Sequence, residues 1–384
     1  MRSGLGGSGM SNQNGKSYRV GVIGFAHMHV NELVDRFIAT GRAEIVACAD
    51  TQPRTPSTVT IEGSRRANMK RTLATPGGPR GYEDYREMLR AEKLDVAIFC
   101  PENAQHAEVA EALAQHGVPM VTEKPMAGRL DDALRMKAAA EKAGVALAVN
   151  WPITWSPTMR RLKELLDAGV IGDVWELKWR NGESLGPLAH GSVHPGATVV
   201  SGEISDAERG MEWWHQAEAG GGAMLDYCCY GACLTSWLLP NPPDTVQCLE
   251  ANLMSGFGNA DDNAAMLLRF PKAIAILEGS WTTFHSGIPH GPILFGTKGT
   301  IVVDGTEIRV YRDRGSKTPS LVEKGAPMPE GRATIGEEFL HHLETGDPLH
   351  PTLAFPINLA AMAILDAGLK SAEKGVAAPV ERVK

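Results

Sequence analysis

Tyr18-Arg19-Val20-Gly21-Val22-Ile23-Gly24-Phe25-Ala26-His27-Met28-His29 is the stretch on which the fold turns. Residues 18–23 form an apolar run that reads as a buried strand, and Gly24 begins a turn. Val30, Leu33, Val34 and Phe37 follow at helical spacing, with Gly41 as the stop. A second apolar run, 45–49, ends in Asp50. Strand, turn, helix, strand and acid in that order describe a dinucleotide-binding unit. The helix N-terminus faces the pyrophosphate, and the acid accepts from ribose hydroxyls. The glycine fingerprint is incomplete, since Ala26 and His29 stand where the second and third glycines belong. Alanine still permits close backbone approach; His29 is a departure. Gly24, Phe25, Ala26, His27, Met28 and Asp50 are the candidate cofactor contacts from this unit.

Downstream, residues 51–80 are rich in Pro, Thr and Arg and offer at most one irregular helix, while 82–89 reads as helical. The run 95–100 is a buried strand that ends at Pro101-Glu102-Asn103-Ala104-Gln105-His106. A helix over 107–116 stops at Gly117, and the run 118–121 leads into Glu123-Lys124-Pro125. A further helix reaches Lys142, with Asp131 and Asp132 in its first turn, before a strand at 145–149. Strands alternating with helices imply a parallel, doubly wound sheet. Ligands bind at the carboxyl ends of such strands, where Lys124 sits. A proline there can be cis, which fixes the preceding side chain. The bland alternative is a solvated lysine in a loop.

After Asn150 the pattern changes. One helix (158–167) precedes runs of period-two alternation at 174–179, 245–251, 264–270, 273–281, 293–295, 301–303 and 307–311. Tight turns such as Pro271-Lys272 and Asp304-Gly305 join several of them, which describes an antiparallel sheet. Gly220-Gly221-Gly222 opens a helix over 223–239, on which Asp226 and Tyr230 share a face. The expected fold is an α/β doubly wound domain over 18–150 and an α+β domain with a large, mostly antiparallel sheet over 151–384. Residues 1–17, rich in Gly, Ser and Asn, are expected to be a disordered tail outside both.

A chain of 384 residues is long enough for a core in each half, and 43% hydrophobic content is ordinary for a globular protein. A net charge of −7 argues against a nucleic-acid partner and gives no reason to sit on anionic lipid. No apolar run approaches the roughly 18 residues of a membrane span, and the N-terminus has no signal pattern. A cytoplasmic location is expected. Six cysteines are too few for a disulfide scaffold, and the spacing of Cys228, Cys229 and Cys233 suits no common zinc site, so buried thiols are expected.

Between Tyr18 and about Ala372 the chain resembles the glucose-fructose oxidoreductase / inositol dehydrogenase / MocA (Gfo/Idh/MocA) family of NAD(P)-dependent oxidoreductases. Glu123-Lys124-Pro125 is similar to the family's most specific signature, and 220–230 to its second motif, Gly-Gly-Gly-x3-Asp-x3-Tyr. Asp261-Asp262-Asn263 and Phe295-Gly296-Thr297-Lys298-Gly299-Thr300 resemble further family segments. The resemblance adds Pro101, Glu102, Asn103, His106, Glu123 and Lys124 to the cofactor set, and implies a homodimer or homotetramer built through the second sheet. It implies no metal, so His190 and His194 are not read as ligands. Three departures stand out. Tyr230 replaces the histidine of inositol dehydrogenases, Pro101 is shifted within its turn, and Thr154 replaces an arginine common before Pro157.

Oxidising a secondary alcohol requires a base for the hydroxyl proton while hydride leaves carbon. Tyrosine, with a reference pKa near 10, needs a neighbouring cation to serve, and Lys124 offers one. Lys124, Asp226 and Tyr230 are therefore the catalytic candidates, with either Tyr230 or Asp226 as the base. Asn150, Trp151, Trp155, Trp213, Trp214 and His215 are the candidate substrate contacts, because aromatic faces suit the C–H faces of a sugar or cyclitol. Tryptophans also serve as core anchors. The expected function is NAD-dependent oxidation of a sugar, glycoside or cyclitol hydroxyl, with Asp50 favouring NAD over NADP. Two alternatives stand beside it: a glycoside-cleaving enzyme that retains its NAD, and a non-catalytic NAD-sensing regulator.

Overall fold

Six parallel strands build the first sheet: β1 (Tyr18–Phe25), β2 (Ala43–Ala49), β3 (Arg80–Tyr82), β4 (Val96–Cys100), β5 (Met120–Glu123) and β6 (Leu147–Asn150). They lie in the order β3-β2-β1-β4-β5-β6, so the winding reverses between β1 and β4 and opens a crevice at their carboxyl ends. The structure is a computed structural model that describes residues 17–182, 187, 193–194, 197–198, 204–284, 287–325 and 327–383. Val20, Val22, Ile23 and Phe25 are fully buried because helices cover both faces of the sheet. Those helices are α1 (Val30–Ala39), α2 (Arg65–Leu73), α3 (Tyr85–Ala91), α4 (His106–Gln115) and α5 (Leu130–Ala143).

The segment 51–91 differs from the sequence expectation. Ser64 caps α2 by accepting from Ala67 N, and Asp84 caps α3 by accepting from Arg86 N. Tyr82 therefore belongs to β3 and not to a helix. A three-residue strand of Arg, Gly and Tyr has no apolar period to betray it.

The second half opens with α6 (Pro157–Asp167), then β7 (Val174–Asn181), a small hairpin β8 (Val193–His194) and β9 (Ala197–Thr198), and α7 (Asp206–Met211). The helix expected at 223–239 starts as a π-helical turn, Met224–Cys228, before α8 (Cys229–Leu238). The sheet is completed by β10 (Thr245–Ala251), β11 (Asn263–Arg269), β12 (Ile274–Ser280), β13 (Ile293–Gly296), β14 (Gly299–Asp304), β15 (Glu307–Tyr311) and β16 (Leu321–Lys324). Helices α9 (Ile335–Thr345) and α10 (Phe355–Lys374) and the edge strand β17 (Ala378–Pro379) follow. Its order is β16-β15-β14-β13-β7-β12-β11-β10-β17. Only β7 and β12 pair in parallel; every other neighbouring pair is antiparallel.

Alternation assigns the two faces of this sheet. Val246, Cys248, Met266, Leu268, Ala275 and Leu277 point inward against α8 and α10. Leu249, Leu267, Ile274 and Trp175 are 46–70% exposed on the opposite face. All six cysteines are free and buried, as expected. Helix α9 returns to the first sheet, where Ile335, Phe339 and Leu340 share a core with Val34 and Phe37 of α1. A Cβ at Gly336 would lie 2.6 Å from Arg36 O, so this crossing requires glycine. Among the described residues, no helix is long and apolar enough to cross a membrane.

Candidate active site

Lys124 leaves the end of β5 ahead of a cis peptide to Pro125 and is almost fully buried, 2% exposed. Its Nζ donates to Asp226 Oδ1 at 2.6 Å and to Asp226 O at 3.0 Å. Asp226 lies in the π turn, and Trp281 Nε1 donates to its second oxygen at 3.0 Å. Such turns place a side chain where a regular helix would not, and they recur at functional sites. Burial disfavours the ammonium, but Asp226 and then Tyr230 more than offset this and hold Lys124 well above the ordinary lysine range.

Tyr230 contradicts one part of the sequence reading. Lys124 Nζ sits 4.8 Å from the centroid of its ring, so the lysine faces the π cloud. Trp179 stacks on the same ring at 6.0 Å, and Trp151 meets it edge-on at 5.8 Å. Burial in this aromatic box raises the phenol above the usual tyrosine range, outweighing the lowering by Lys124. The cation was expected to make the phenol acidic; desolvation of the phenolate is the larger effect.

Glu123 is a buried hub. It accepts from His29 Nδ1 at 3.0 Å, from Lys124 N at 3.2 Å and from Asn150 Nδ2. The departure at His29 is thereby explained: in place of a glycine, the imidazole ties the β1–α1 turn to the lysine strand. His27, His29 and Glu123 bring three potential ligand atoms within 4.8 Å of one another, the one such metal-like group among the described residues. His27 Nδ1 also accepts from His29 N at 3.1 Å. These bonds make the trio a brace across the turn. His190 lies outside the described residues, as does the side chain of His194.

The crevice fits a nicotinamide dinucleotide. Gly24 has φ of +77°, and a Cβ there would lie 2.6 Å from Pro101 N, so the β1 turn can press against the β4 turn only as glycine. Phe25, Ala26 and Met28 line that turn, and no side chain caps the N-terminus of α1 behind it. Asp50 Oδ1 accepts from Phe25 N, Thr51 N and Arg65 Nη1. Burial raises the Asp50 carboxyl, with Arg65 opposing.

Several assigned residues also brace the frame. His106 is buried against Phe99, donates from Nδ1 to Met126 O at 3.0 Å, and is lowered by burial to about 4, so it braces the Lys124 turn. Asn103 Nδ2 donates to Gly220 O at 2.7 Å, and Glu102 accepts from Arg65 and Arg54 N. Trp213 Nε1 donates to Ala26 O at 2.8 Å, and Trp214 packs edge-on against His27 at 4.6 Å. These contacts dock the segment before the triple glycine onto the nucleotide crevice. His215 is buried between Phe257 and Trp281, and Trp151 donates to Asn358 Oδ1. Trp155 remains partly exposed and donates to Asn150 Oδ1 at 2.8 Å. Thr154, in the arginine's place, is buried against Thr352.

Sequence reasoning missed Arg65, Trp179 and Trp281. The Ser64 cap signal would have placed Arg65 at a helix start, and both tryptophans end period-two runs that point at the same helix.

Residues 18–151 match the model of an oxidoreductase family with an NAD-binding Rossmann fold, and residues 159–302 match the GFO/IDH/MocA C-terminal domain. The chain belongs to the Gfo/Idh/MocA family. Its curated relatives include 2,7-anhydro-N-acetylneuraminate hydratase of Escherichia coli K12, 28% identical over 224 residues, 57% of this chain and 54% of that protein. Trans-1,2-dihydrobenzene-1,2-diol dehydrogenase of Mus musculus is 25% identical over 265 residues, 67% of this chain and 71% of that protein. D-apiose dehydrogenase of Paraburkholderia graminis is 38% identical over 96 residues, 25% of this chain and 26% of that protein. The chain thus spans about half of the hydratase and a quarter of the apiose enzyme. The fold matches the WlbA dehydrogenase of Bordetella pertussis, solved with NADH and UDP-GlcNAcA, at a TM-score of 0.71 and 22% identity over 96% of this chain and all of that one. It matches levoglucosan dehydrogenase, solved with NADH and levoglucosan, at 0.72 and 18% over the same shares. Like these Gfo/Idh/MocA proteins, the chain pairs a Rossmann sheet with a large second sheet, and NAD is the cofactor its first part is built for.

Proposed function

We propose that this Gfo/Idh/MocA chain oxidises a hydroxyl of a sugar, glycoside or cyclitol, with residues 18–150 holding NAD and 151–384 presenting the substrate. Bound NAD supplies the hydride acceptor. The observation that carries the proposal is the buried Lys124–Asp226 pair at the end of β5, formed across the two halves. Its chemistry suits an alcohol becoming a carbonyl. The Lys124 ammonium donates to the reacting oxygen and stabilises negative charge there. Asp226, fixed by Trp281, accepts the proton, and the Tyr230 ring walls the site and orders the ammonium. Relatives named for D-apiose, D-xylose and a dihydrodiol support a polyhydroxylated substrate.

The test is a screen of sugars, glycosides and cyclitols for reduced nicotinamide, with NAD and NADP compared. A second reading is favoured by the relative named as a hydratase, whose reaction has no net redox change. Under it a sugar carbon beside the same pair would be oxidised transiently, the hydride passing to bound NAD and later returning, so product forms without free NADH.

We also propose that a second copy of the chain covers the open face of the second sheet. Trp175, Leu249, Leu267 and Ile274 leave an apolar surface there that a soluble monomer rarely keeps.

A further inference from the structure

Arg65, the first residue of α2, spans the crevice from the end of β2 to the end of β4. Its Nη1 donates to Asp50 Oδ1 at 2.8 Å and to Thr51 O at 3.1 Å, while Nη2 donates to Glu102 Oε1 at 2.9 Å. The arginine side chain is 7% exposed and that of Glu102 only 1%. Arg54 N also donates to Glu102 Oε1, at 3.1 Å. Glu212 from the docked segment is buried nearby, accepting from Ser57 Oγ at 2.6 Å. An arginine beside the ribose acid is the usual means of accommodating a 2′-phosphate. Here its planar fork is committed to two carboxylates. The trio keeps one net negative charge, and Glu212 adds to the negative field.

We propose that Glu102 sets cofactor choice by holding Arg65 against Asp50, so that the crevice takes a ribose with a free 2′-hydroxyl and rejects a 2′-phosphate. The proposal rests on the crevice being the NAD site and assigns its specificity to a residue one strand away from the ribose acid. Neutralising Glu102 removes the excess charge and releases Nη2 to turn toward a phosphate. Removing Arg65 does the opposite and leaves the two carboxylates without its charge, held only by backbone N–H donors.

The test is calorimetric binding of NAD and NADP to the purified chain, with no substrate present. The wild type binds NAD more tightly. Glu102→Gln, which keeps the side-chain shape, strengthens NADP binding by about tenfold and shifts NAD by less than about threefold, the scale of one partly screened charge. Adding Arg65→Met to Glu102→Gln abolishes the gain. Arg65→Met alone weakens NADP more than NAD, which keeps the proposal open to refutation if the Glu102 variant misfolds. An unchanged NAD-to-NADP ratio in Glu102→Gln, or equal weakening of both in Arg65→Met, overturns the proposal while NAD still binds. A wild type that binds neither nucleotide overturns the cofactor reading itself.

Discussion

The Lys124 ammonium donates to Asp226 Oδ1 at 2.6 Å, with the lysine side chain 2% exposed and the aspartate 11%. The cation is enclosed and the carboxylate keeps a small window. This asymmetry supports the proposed division, with proton acceptance at Asp226 and charge stabilisation at Lys124.

Asp226→Asn is therefore expected to lower turnover by roughly 10²–10⁴, while Tyr230→Phe costs less than about tenfold. Steady-state rates on whichever sugar turns over decide between them. The raised phenol gives a second readout: Tyr230 stays protonated across the working range, so the pH profile of Tyr230→Phe keeps any limb seen in the wild type. Loss of a basic limb in that variant alone would return the base to the tyrosine.

Lys124→Met should reduce turnover by roughly 10²-fold or more and leave NAD affinity within a few-fold, since the lysine serves the reacting oxygen. It also strands a partly buried carboxylate, so a lower melting temperature accompanies the loss. Near-normal turnover in this variant would remove Lys124 from the chemistry.

Asp261 supplies a stability prediction. Burial, then Glu250, raises its carboxyl from 3.8 to about 8, while its Oδ2 accepts from Met224 N at 2.8 Å at the head of the π turn. A folded value above the unfolded one means that the contribution is full below about pH 4 and is lost as pH rises through about 8. Thermal stability should fall between about pH 4 and about pH 8, and Asp261→Asn should flatten that slope. A slope of the same size in the variant would assign it elsewhere.

For the open sheet, Leu267→Glu and Ile274→Lys place charges on the exposed face without touching the inward residues. Light scattering at micromolar concentration should show an oligomer for the wild type and a monomer for the double variant. A monomeric wild type contradicts the second-copy proposal.

Much of this architecture is written in local pattern. Five strands of the first sheet follow from apolar runs leading to Gly24, Asp50, Pro101, Lys124 and Asn150, because buried parallel strands have no polar alternation to blur them; β3 carries no such run. Asp226 was legible from its glycine-rich approach. Its partner Trp281 ends a period-two run, but the pairing of that indole with Asp226, 55 residues earlier, is set by how strand and helix pack. His29 looked like a defect in a glycine motif and is instead tied to Glu123, 94 residues on. The phenol of Tyr230 was misjudged for a related reason: a neighbouring cation can be inferred from a motif, whereas the desolvation by Trp151 and Trp179 is a property of the packed site. The docking of Trp213 on Ala26 likewise depends on how the two halves meet.

The central claim is that hydride leaves a sugar carbon at the Lys124–Asp226 pair. Its most direct test is a single-turnover stopped-flow measurement of reduced-nicotinamide absorbance, mixing the NAD-loaded protein with the best-binding sugar. The account predicts a burst of reduced cofactor in the wild type, whether or not NADH is later released, and its loss in Asp226→Asn with NAD still bound. No reduction in the wild type with both ligands saturating, or an undiminished burst in Asp226→Asn, would contradict it.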